Sequence, residues 1–443
     1  MVALGVRRAL VVLLLVMLPL TGAGTIWAAP PRGNTDEALV GQYTLPDPLR
    51  AADGTAVTTA ADWIGRRRGE ILALFTEQMF GHAPPAPRPD AIRFDILSEH
   101  DALDGLATRR EIDVHLAENP PVRMTMLVYV PKSGRPAPCF WGLNFAGNQA
   151  VTDEPDVRIN ANWMDSSRPG VVDHRATEAS RGSEASRWPV KLIVGRGYAL
   201  ATAYYGDIDP DHDDGFHNGI HAAFPSLEKS PRAADAWGSI AAWAWGMSRG
   251  LDYLAQDPAI DGKCVAAIGH SRLGKTSLWA GATDPRFALV VSNNSGCGGA
   301  ALSKRNFGET VAAINHNFPH WFCGNFKRYD DNEAALPFDQ HELLALIAPR
   351  PLYVASAAED LWADPKGEFL ACVAADPVYR LLGTDGMGGS APPKEMPAVD
   401  QPLATGTIGY HIRTGKHDVT EFDWQQYLDF ADRHWNRKKA SHP

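Results

Sequence analysis

Between Val265 and Lys275 the chain reads Val-Ala-Ala-Ile-Gly-His-Ser-Arg-Leu-Gly-Lys. An apolar run suited to a buried strand passes through a Gly-X-Ser turn directly into a helical pattern over residues 273–282. A serine at such a strand-to-helix bend is held on a tight, strained turn with its hydroxyl above the sheet edge. Gly269 is required there because a side chain would collide with the turn. The helix behind Ser271 brings unpaired N–H groups and the positive end of its dipole to the place where an oxyanion would form. That is the chemistry of nucleophilic attack on a carbonyl. The second glycine, Gly274, falls one place late, giving GxSxxG where GxSxG is commoner. The competing reading is an ordinary helix N-cap serine; the strand before and the helix after favour the nucleophile.

A serine nucleophile needs a base, and the base needs an acid to orient it. Of the 15 histidines, His417 in Gly415-Lys416-His417-Asp418 is the best placed. It comes after a strand-like stretch at 408–412 and precedes the C-terminal helical pattern, which matches the Ser…acid…His order of α/β-hydrolases. His341 sits in a helix-like segment and His411 inside a strand, so both are weaker. For the acid, the loop after the strand at 352–356 offers Glu359, Asp360 and Asp364. Asp360 is the choice, with Asp364 and Glu359 as rivals.

These groups have to be carried by a sheet. Strands are expected at 92–97, 108–116, 122–130, 139–145, 198–205, 264–268, 288–291, 352–356 and 408–412, the continuous apolar ones suiting burial on both faces. Helices are expected at 63–79, 233–254, 273–282 and 423–435. This alternation predicts an α/β fold of the α/β-hydrolase type, a three-layer αβα sandwich around a mostly parallel sheet. The prolines between Pro84 and Pro89 end the first helix and separate it from the strand expected at 92–97. Residues 30–89 then form an N-terminal arm and a helix packing on the core, and 90–443 a catalytic domain. Long polar stretches near 146–190 and 374–405 read as surface insertions able to shape a cleft.

With 52 acidic against 42 basic residues the formal charge is −10, which argues against nucleic acid or an anionic membrane as the main partner. The short basic runs Arg66-Arg67-Arg68 and Arg437-Lys438-Lys439 read as solvated helix ends. Arg7 and Arg8 precede an uninterrupted apolar run from Ala9 to Leu20 and a small-residue exit at Ala28-Ala29. That pattern is a secretory signal over residues 1–29, too short to span a bilayer; Ala23 is the alternative last residue removed. No membrane anchor is expected, and the location is secreted or periplasmic. Five scattered cysteines, Cys139, Cys264, Cys297, Cys323 and Cys372, contain no CxxC pair, so a structural zinc site is not expected. One disulfide is expected in an oxidising compartment, with at least one thiol left over. Cys264, in a strand pattern, reads as a small buried hydrophobe.

Residues 269–275 resemble the GCSRxGK-type elbow of the glucuronoyl esterases, carbohydrate esterase family 15. The likeness continues through Ser292-Asn-Asn-Ser-Gly-Cys-Gly-Gly299, Phe307-Gly-Glu309, Phe318-Pro-His-Trp-Phe-Cys323, Leu336-Pro-Phe-Asp-Gln-His341 and Trp362-Ala-Asp-Pro365. It covers most of the chain from about residue 90 and is nearest the bacterial branch. It implies a carboxylic ester hydrolase acting on the ester between 4-O-methyl-glucuronic acid of glucuronoxylan and lignin alcohols, without metal or organic cofactor; a monomer is expected. By the same resemblance Ser271 matches the nucleophile, His417 the base and Arg272 the arginine that faces the oxyanion. Lys275, Glu309 and Trp362 match positions that contact the uronate sugar.

Two departures stand out. Asn294 occupies the place of the fungal triad glutamate and cannot carry its charge, so the acid comes from the Asp360 loop, where bacterial members keep theirs. His270 stands where many fungal members have a cysteine, which removes a disulfide tying the elbow to the histidine loop. Each sugar contact also has a plainer reading: a solvated Lys275, a Glu309 paired with Arg305 four residues earlier on a helix, a Trp362 that only packs a lid. His320 and Trp321 suit cleft lining and core packing equally. The alternatives for the whole chain are another carbohydrate esterase, such as an acetyl xylan esterase, or a non-catalytic carbohydrate-binding relic of the fold.

Overall fold

The strands are β1 (Phe94–Ala102), β2 (Ala107–Glu118), β3 (Pro121–Pro131), β4 (Ala137–Asn144), the two-residue β5 (Val171–Val172) and β6 (Arg175–Ala176), β7 (Ala199–Tyr204), β8 (Ile260–His270), β9 (Leu289–Asn293), β10 (Leu352–Ala357) and β11 (Ile408–Arg413). They belong to a computed structural model that describes residues 33–88, 92–225, 227 and 231–436. The expected signal segment and the run Arg437-Lys438-Lys439 lie outside the described residues. Apart from the β5–β6 pair, the strands form a nine-stranded sheet in the order β1-β2-β3-β7-β4-β8-β9-β10-β11. Pairing is antiparallel from β1 to β7 and parallel from β7 through β11.

Period-2 alternation sends neighbouring side chains of one strand to opposite faces. Trp141 and Ala267 join one apolar cluster, with residues of the helices Ser239–Leu254, Arg272–Thr283 and Pro365–Leu381. Phe140 and Ala266 join the other, with residues of Val190–Gly195 and Glu421–His434. Both faces are therefore covered, which gives the three layers of an α/β-hydrolase fold. Because β8, β9, β10 and β11 run parallel, their C-terminal ends, and the loops that carry the chemistry, open on one edge.

The first helical stretch spans residues 60–80, with π-helical turns at Trp63–Arg67 and Thr76–Phe80. It is fully part of the core: Phe75, Met79 and Phe80 are buried, and Phe80 stacks on Trp279 at 4.2 Å. The basic run on this stretch is not the solvated helix end expected of it. Arg67 is buried and pairs with buried Glu342 at 2.8 Å, and Arg68 donates to the Ala282 carbonyl at 2.7 Å.

Three more expectations are corrected. The helix expected from residue 233 begins at Ser239. A Cβ on Gly238 would collide with the Trp321 carbonyl, so the chain crosses another segment there before it can coil. The insertion expected from 374 begins inside a helix, Pro365–Leu381, that runs through Pro377. Burial of Phe369, Cys372, Val378 and Tyr379 outweighs the one backbone bond a proline removes. No disulfide joins any of the five cysteines; Cys139, Cys297, Cys323 and Cys372 are each buried, and Cys264 is half-buried rather than buried. Among the described residues, no helix is long and apolar enough to cross a membrane.

Candidate active site

β8 ends at His270 and the next helix starts at Arg272, so Ser271 alone makes the bend. Its φ of 58° and ψ of −128° lie where a side chain is strained, a cost of about 1–3 kcal/mol that the surroundings must impose. They do so by hydrogen bonds. Ser271 N–H donates to the Asn293 carbonyl at 2.9 Å, and the Ser271 carbonyl accepts from Gly274 and Lys275 N–H. A Cβ on Gly269 would collide with the Leu273 carbonyl. A Cβ on Gly274 would press on Ser295 Cβ at 3.0 Å and the Asn293 carbonyl oxygen at 3.2 Å. The late second glycine thus allows the elbow helix to lie against the turn after β9.

His417 lies beyond β11, and its Nδ1 meets Asp360 Oδ2 at 2.6 Å. Burial works against the charge on Asp360, but His417 and a hydrogen bond from Asn294 outweigh it and hold the carboxyl below its ordinary value. The carboxylate therefore accepts, His417 carries its proton on Nδ1, and Nε2 is left basic. Asn294, with φ 46°, supports the acid: its Nδ2 donates to the same Asp360 oxygen at 2.8 Å. The rivals are elsewhere. Asp364 is buried against Arg305 at 2.9 Å and caps the helix Pro365–Leu381; Glu359 is exposed at the surface. His341 bonds the Pro46 carbonyl and His411 bonds Asp423.

Arg272 lies along one wall. Its guanidinium pairs with Asp211 and sits 4.5 Å from the Trp321 ring centroid. Asp211, which no sequence motif marks, also accepts from Tyr205 Oη at 2.8 Å, His320 Nε2 at 2.9 Å and Trp321 Nε1 at 2.7 Å. Burial opposes its charge, but Arg272, His320 and Trp321 keep the carboxyl well below the usual range. Its only sequence signal is its place among the crowded acids of 207–214, just beyond the end of β7.

The same cavity holds the three sugar candidates. Lys275 Nζ donates to the Ser295 carbonyl at 2.6 Å and lies 4.0 Å from Glu309 Oε2. Burial lowers the Lys275 pKa and raises that of Glu309, each against the pull of the other. Glu309 is not on a helix, and Arg305 pairs with Asp364 and Glu37 instead. Trp362, in the turn Leu361–Ala363, is 44% exposed, which no packing residue needs to be. Its carbonyl accepts from Glu309 N–H at 2.9 Å. Trp321 is both buried and part of the wall, so its two readings hold together. His320 is buried on Asp211 behind it.

Ser271, His417, Asp360, Arg272, Lys275, Glu309 and Trp362 all line one cavity of about 330 Å³. A wider cleft of about 700 Å³, bounded by Glu111, Asp113, Asp207 and His217, contains none of them.

A family model described as "Glucuronyl esterase, fungi" matches residues 224–383. A curated relative, carbohydrate esterase MZ0003 from an unknown prokaryotic organism, is 47% identical over 429 residues, 95% of this chain and 98% of its own length. The solved glucuronoyl esterase of Solibacter usitatus is 45% identical with a TM-score of 0.84, covering 90% of this chain and 100% of that one. The chain belongs to carbohydrate esterase family 15. It is a carboxylic ester hydrolase. Another relative, 4-O-methyl-glucuronoyl methylesterase 1 of Wolfiporia cocos, is 29% identical over 383 residues, 84% of this chain and 81% of its own.

Within this family 15 member the two departures acquire shapes. Asn294 cannot be the acid but gives its hydrogen bond to the candidate acid Asp360. His270 lays its ring against that of His417, 4.4 Å between centroids, so contact between the elbow and the histidine loop persists without a disulfide. The insertion near 146–190 reaches the same loop through Arg187, which donates to Asp418 at 2.6 Å.

Proposed function

We propose that this esterase hydrolyses the ester joining 4-O-methyl-glucuronic acid of glucuronoxylan to lignin alcohols. Ser271 is the nucleophile, His417 the general base and Asp360 the acid that fixes its tautomer. In the first half-reaction Ser271 Oγ attacks the uronate carbonyl while its proton passes to His417 Nε2. The carbonyl π pair moves onto oxygen. That oxyanion forms at the N-terminus of the elbow helix beside Arg272, whose charge is held in place by Asp211. When the C–O bond to the alcohol breaks, His417 returns the proton to the leaving oxygen, and the acyl-enzyme remains. Water then repeats the sequence, and Ser271 is regenerated.

The observation that carries this reading is the strained serine sharing one cavity with an imidazole bonded to an ionised carboxylate. The uronate preference rests on Lys275, Glu309 and Trp362. A buried lysine and glutamate 4.0 Å apart are too far separated to satisfy each other, so both keep hydrogen bonds for sugar hydroxyls. The exposed Trp362 offers the flat face a pyranose ring packs on. The apolar run at residues 9–20 and the small-residue exit after it support delivery of the chain outside the cytoplasm.

The test compares benzyl glucuronate with an aryl acetate. Turnover of the first should exceed turnover of the second by at least about a hundredfold in kcat/KM. Equal or reversed preference would favour an acetyl xylan esterase.

A further inference from the structure

Behind the histidine loop lies a second imidazole that takes no part in the proton transfers of the reaction. His270, the last residue of β8, is buried. Its ring meets the His417 ring at 4.4 Å and 42°, and Phe145 closes on it edge-on at 6.1 Å.

The proton position on His270 is set by its neighbours. His270 Nδ1 is 2.6 Å from Asn293 Oδ1. Asn293 Nδ2 faces Tyr427 Oη at 2.7 Å and Asp423 Oδ1 at 3.2 Å. A carboxylate only accepts, so the amide nitrogen must point to Asp423 and the amide oxygen to His270. His270 therefore donates from Nδ1. Asp423 is itself fixed by His411 Nε2 and Arg413 Nε, both at 2.8 Å, and by Thr420. Burial opposes the Asp423 charge, and these partners outweigh it.

The same carboxylate reaches the catalytic loop by a second route. Arg413, anchored on Asp423, donates to the carbonyls of Lys416 at 3.0 Å and Asp418 at 2.5 Å, on either side of His417. The Asn293 carbonyl meanwhile holds Ser271 N–H. One buried network thus references the elbow, the His270 ring and the His417 loop to a single point.

We infer that His270 is a positioning residue for hydrolysis: a neutral ring, tethered through Asn293 to Asp423, whose face seats the His417 imidazole. The inference rests on His417 being the base. When His417 takes the serine proton it becomes a cation packed against an uncharged ring tilted 42° to it. A second cation at that distance would oppose it. Burial holds His270 well below the ordinary imidazole range, and the charges facing it from other elements, His417, Arg187 and Arg413, act in the same direction. Asp360, bonded to His417 Nδ1, is the acid of the pair.

The test uses the full chain carrying His270→Ala, His270→Phe, Asn293→Ala or Ser271→Ala. Each is assayed for kcat and KM on benzyl glucuronate, for the rate of serine labelling by a fluorophosphonate, and for Tm. His270→Ala should lower kcat and labelling by about tenfold to a hundredfold with KM within about twofold. His270→Phe, which keeps a neutral ring face, should recover at least about threefold of that loss. Asn293→Ala, which leaves the ring but unties it, should lose about threefold to tenfold in kcat. A kcat for His270→Ala within about twofold of the parent, a loss carried by KM alone, or no rescue by phenylalanine would overturn the inference. If His270→Ala does not fold, Asn293→Ala decides by the same criterion. Labelling of Ser271→Ala at the parental rate would instead sink the nucleophile assignment itself.

Discussion

The residues that line the cavity are placed in two different ways. On the hydrolytic side, Ser271, Asp360 and His417 lie just past the C-terminal ends of β8, β10 and β11, strands of one parallel sheet. Behind them lies a buried network from Asn293 to Asp423. On the sugar side, only Lys275 is on a long element, the elbow helix. Glu309 and Trp362 stand on irregular segments fastened to each other by a backbone hydrogen bond. Those segments are held from outside by the N-terminal arm: Asn34 accepts from Gly308 N–H, and Glu37 pairs with Arg305 and Lys366. The difference is a division of labour. Ser271, Asp360 and His417 follow directly from the ends of parallel strands, whereas Glu309 and Trp362, the proposed sugar contacts, are held by loop-to-loop and arm contacts.

Ser271 breaks the comparison hardest. Ser271→Ala and Ser271→Gly should each lose activity by about 10⁴-fold or more. Their stabilities should differ. Alanine keeps the strain of a side chain at φ 58°, whereas glycine relieves it, so the glycine variant should be about 1 kcal/mol the more stable in urea unfolding. Equal stabilities would mean that the bend is not strained.

The two acids of one loop come next. Asp360→Asn replaces the acceptor at His417 Nδ1 by a group that can stabilise the wrong tautomer, and kcat should fall by about 10³–10⁴-fold with melting little changed. Asp364→Asn should do the reverse. It leaves buried Arg305 without its buried carboxylate partner, costing about 3 kcal/mol of stability, with kcat close to the parent. A rate loss at Asp364 matching that at Asp360 would erase the distinction between acid and scaffold.

How far these placements can be read from the chain obeys the same division. That residues 271, 360 and 417 would meet was legible, because each comes after an apolar strand and parallel strands open their ends on one edge. The choice of Asp360 over Asp364 came from chain order and resemblance, and the physical difference, an αL cap paired to Arg305, is visible only in three dimensions. Glu309 and Trp362 carried no signal of their own beyond family likeness. Their positions depend on ion pairs across hundreds of residues, such as Glu37 with Arg305, that no local pattern encodes. Asp211 was hidden for the same reason: its partners Tyr205, Arg272, His320 and Trp321 come from separate segments. The helix through Pro377 and the late start at Ser239 were missed because tertiary packing overrode local rules.

The sugar side should respond in affinity. Trp362→Ala should raise KM for benzyl glucuronate about tenfold and change kcat by less than about threefold, the signature of a ring that holds the sugar equally in ground and transition states, the role proposed for it. An equal effect on aryl acetate would show that Trp362 only shapes the cavity and does not read the sugar.

The smallest effect concerns Glu368, which is buried beneath the turn after β9. Its Oε1 accepts from Ser295 N–H at 2.8 Å, Gly296 N–H at 3.0 Å and Ser295 Oγ at 3.2 Å, and its Oε2 lies 2.6 Å from Ser356 Oγ. It thereby fixes the turn that presents Asn294 to Asp360 and the Ser295 carbonyl to Lys275. Burial pushes its carboxyl up to about 8. The folded chain then binds this proton more tightly than the unfolded chain does, so the stability it contributes is full below the ordinary carboxylate pKa and is lost as pH rises through about 8. Glutamine reproduces the protonated form, with Oε1 accepting the same three bonds and Nε2 facing Ser356 Oγ. Glu368→Gln should therefore keep activity within about threefold and lose less Tm than the parent between about pH 6 and about pH 9. If the two proteins lose Tm in parallel across that range, the alkaline destabilisation belongs to other groups, and Glu368 holds the turn as an ion.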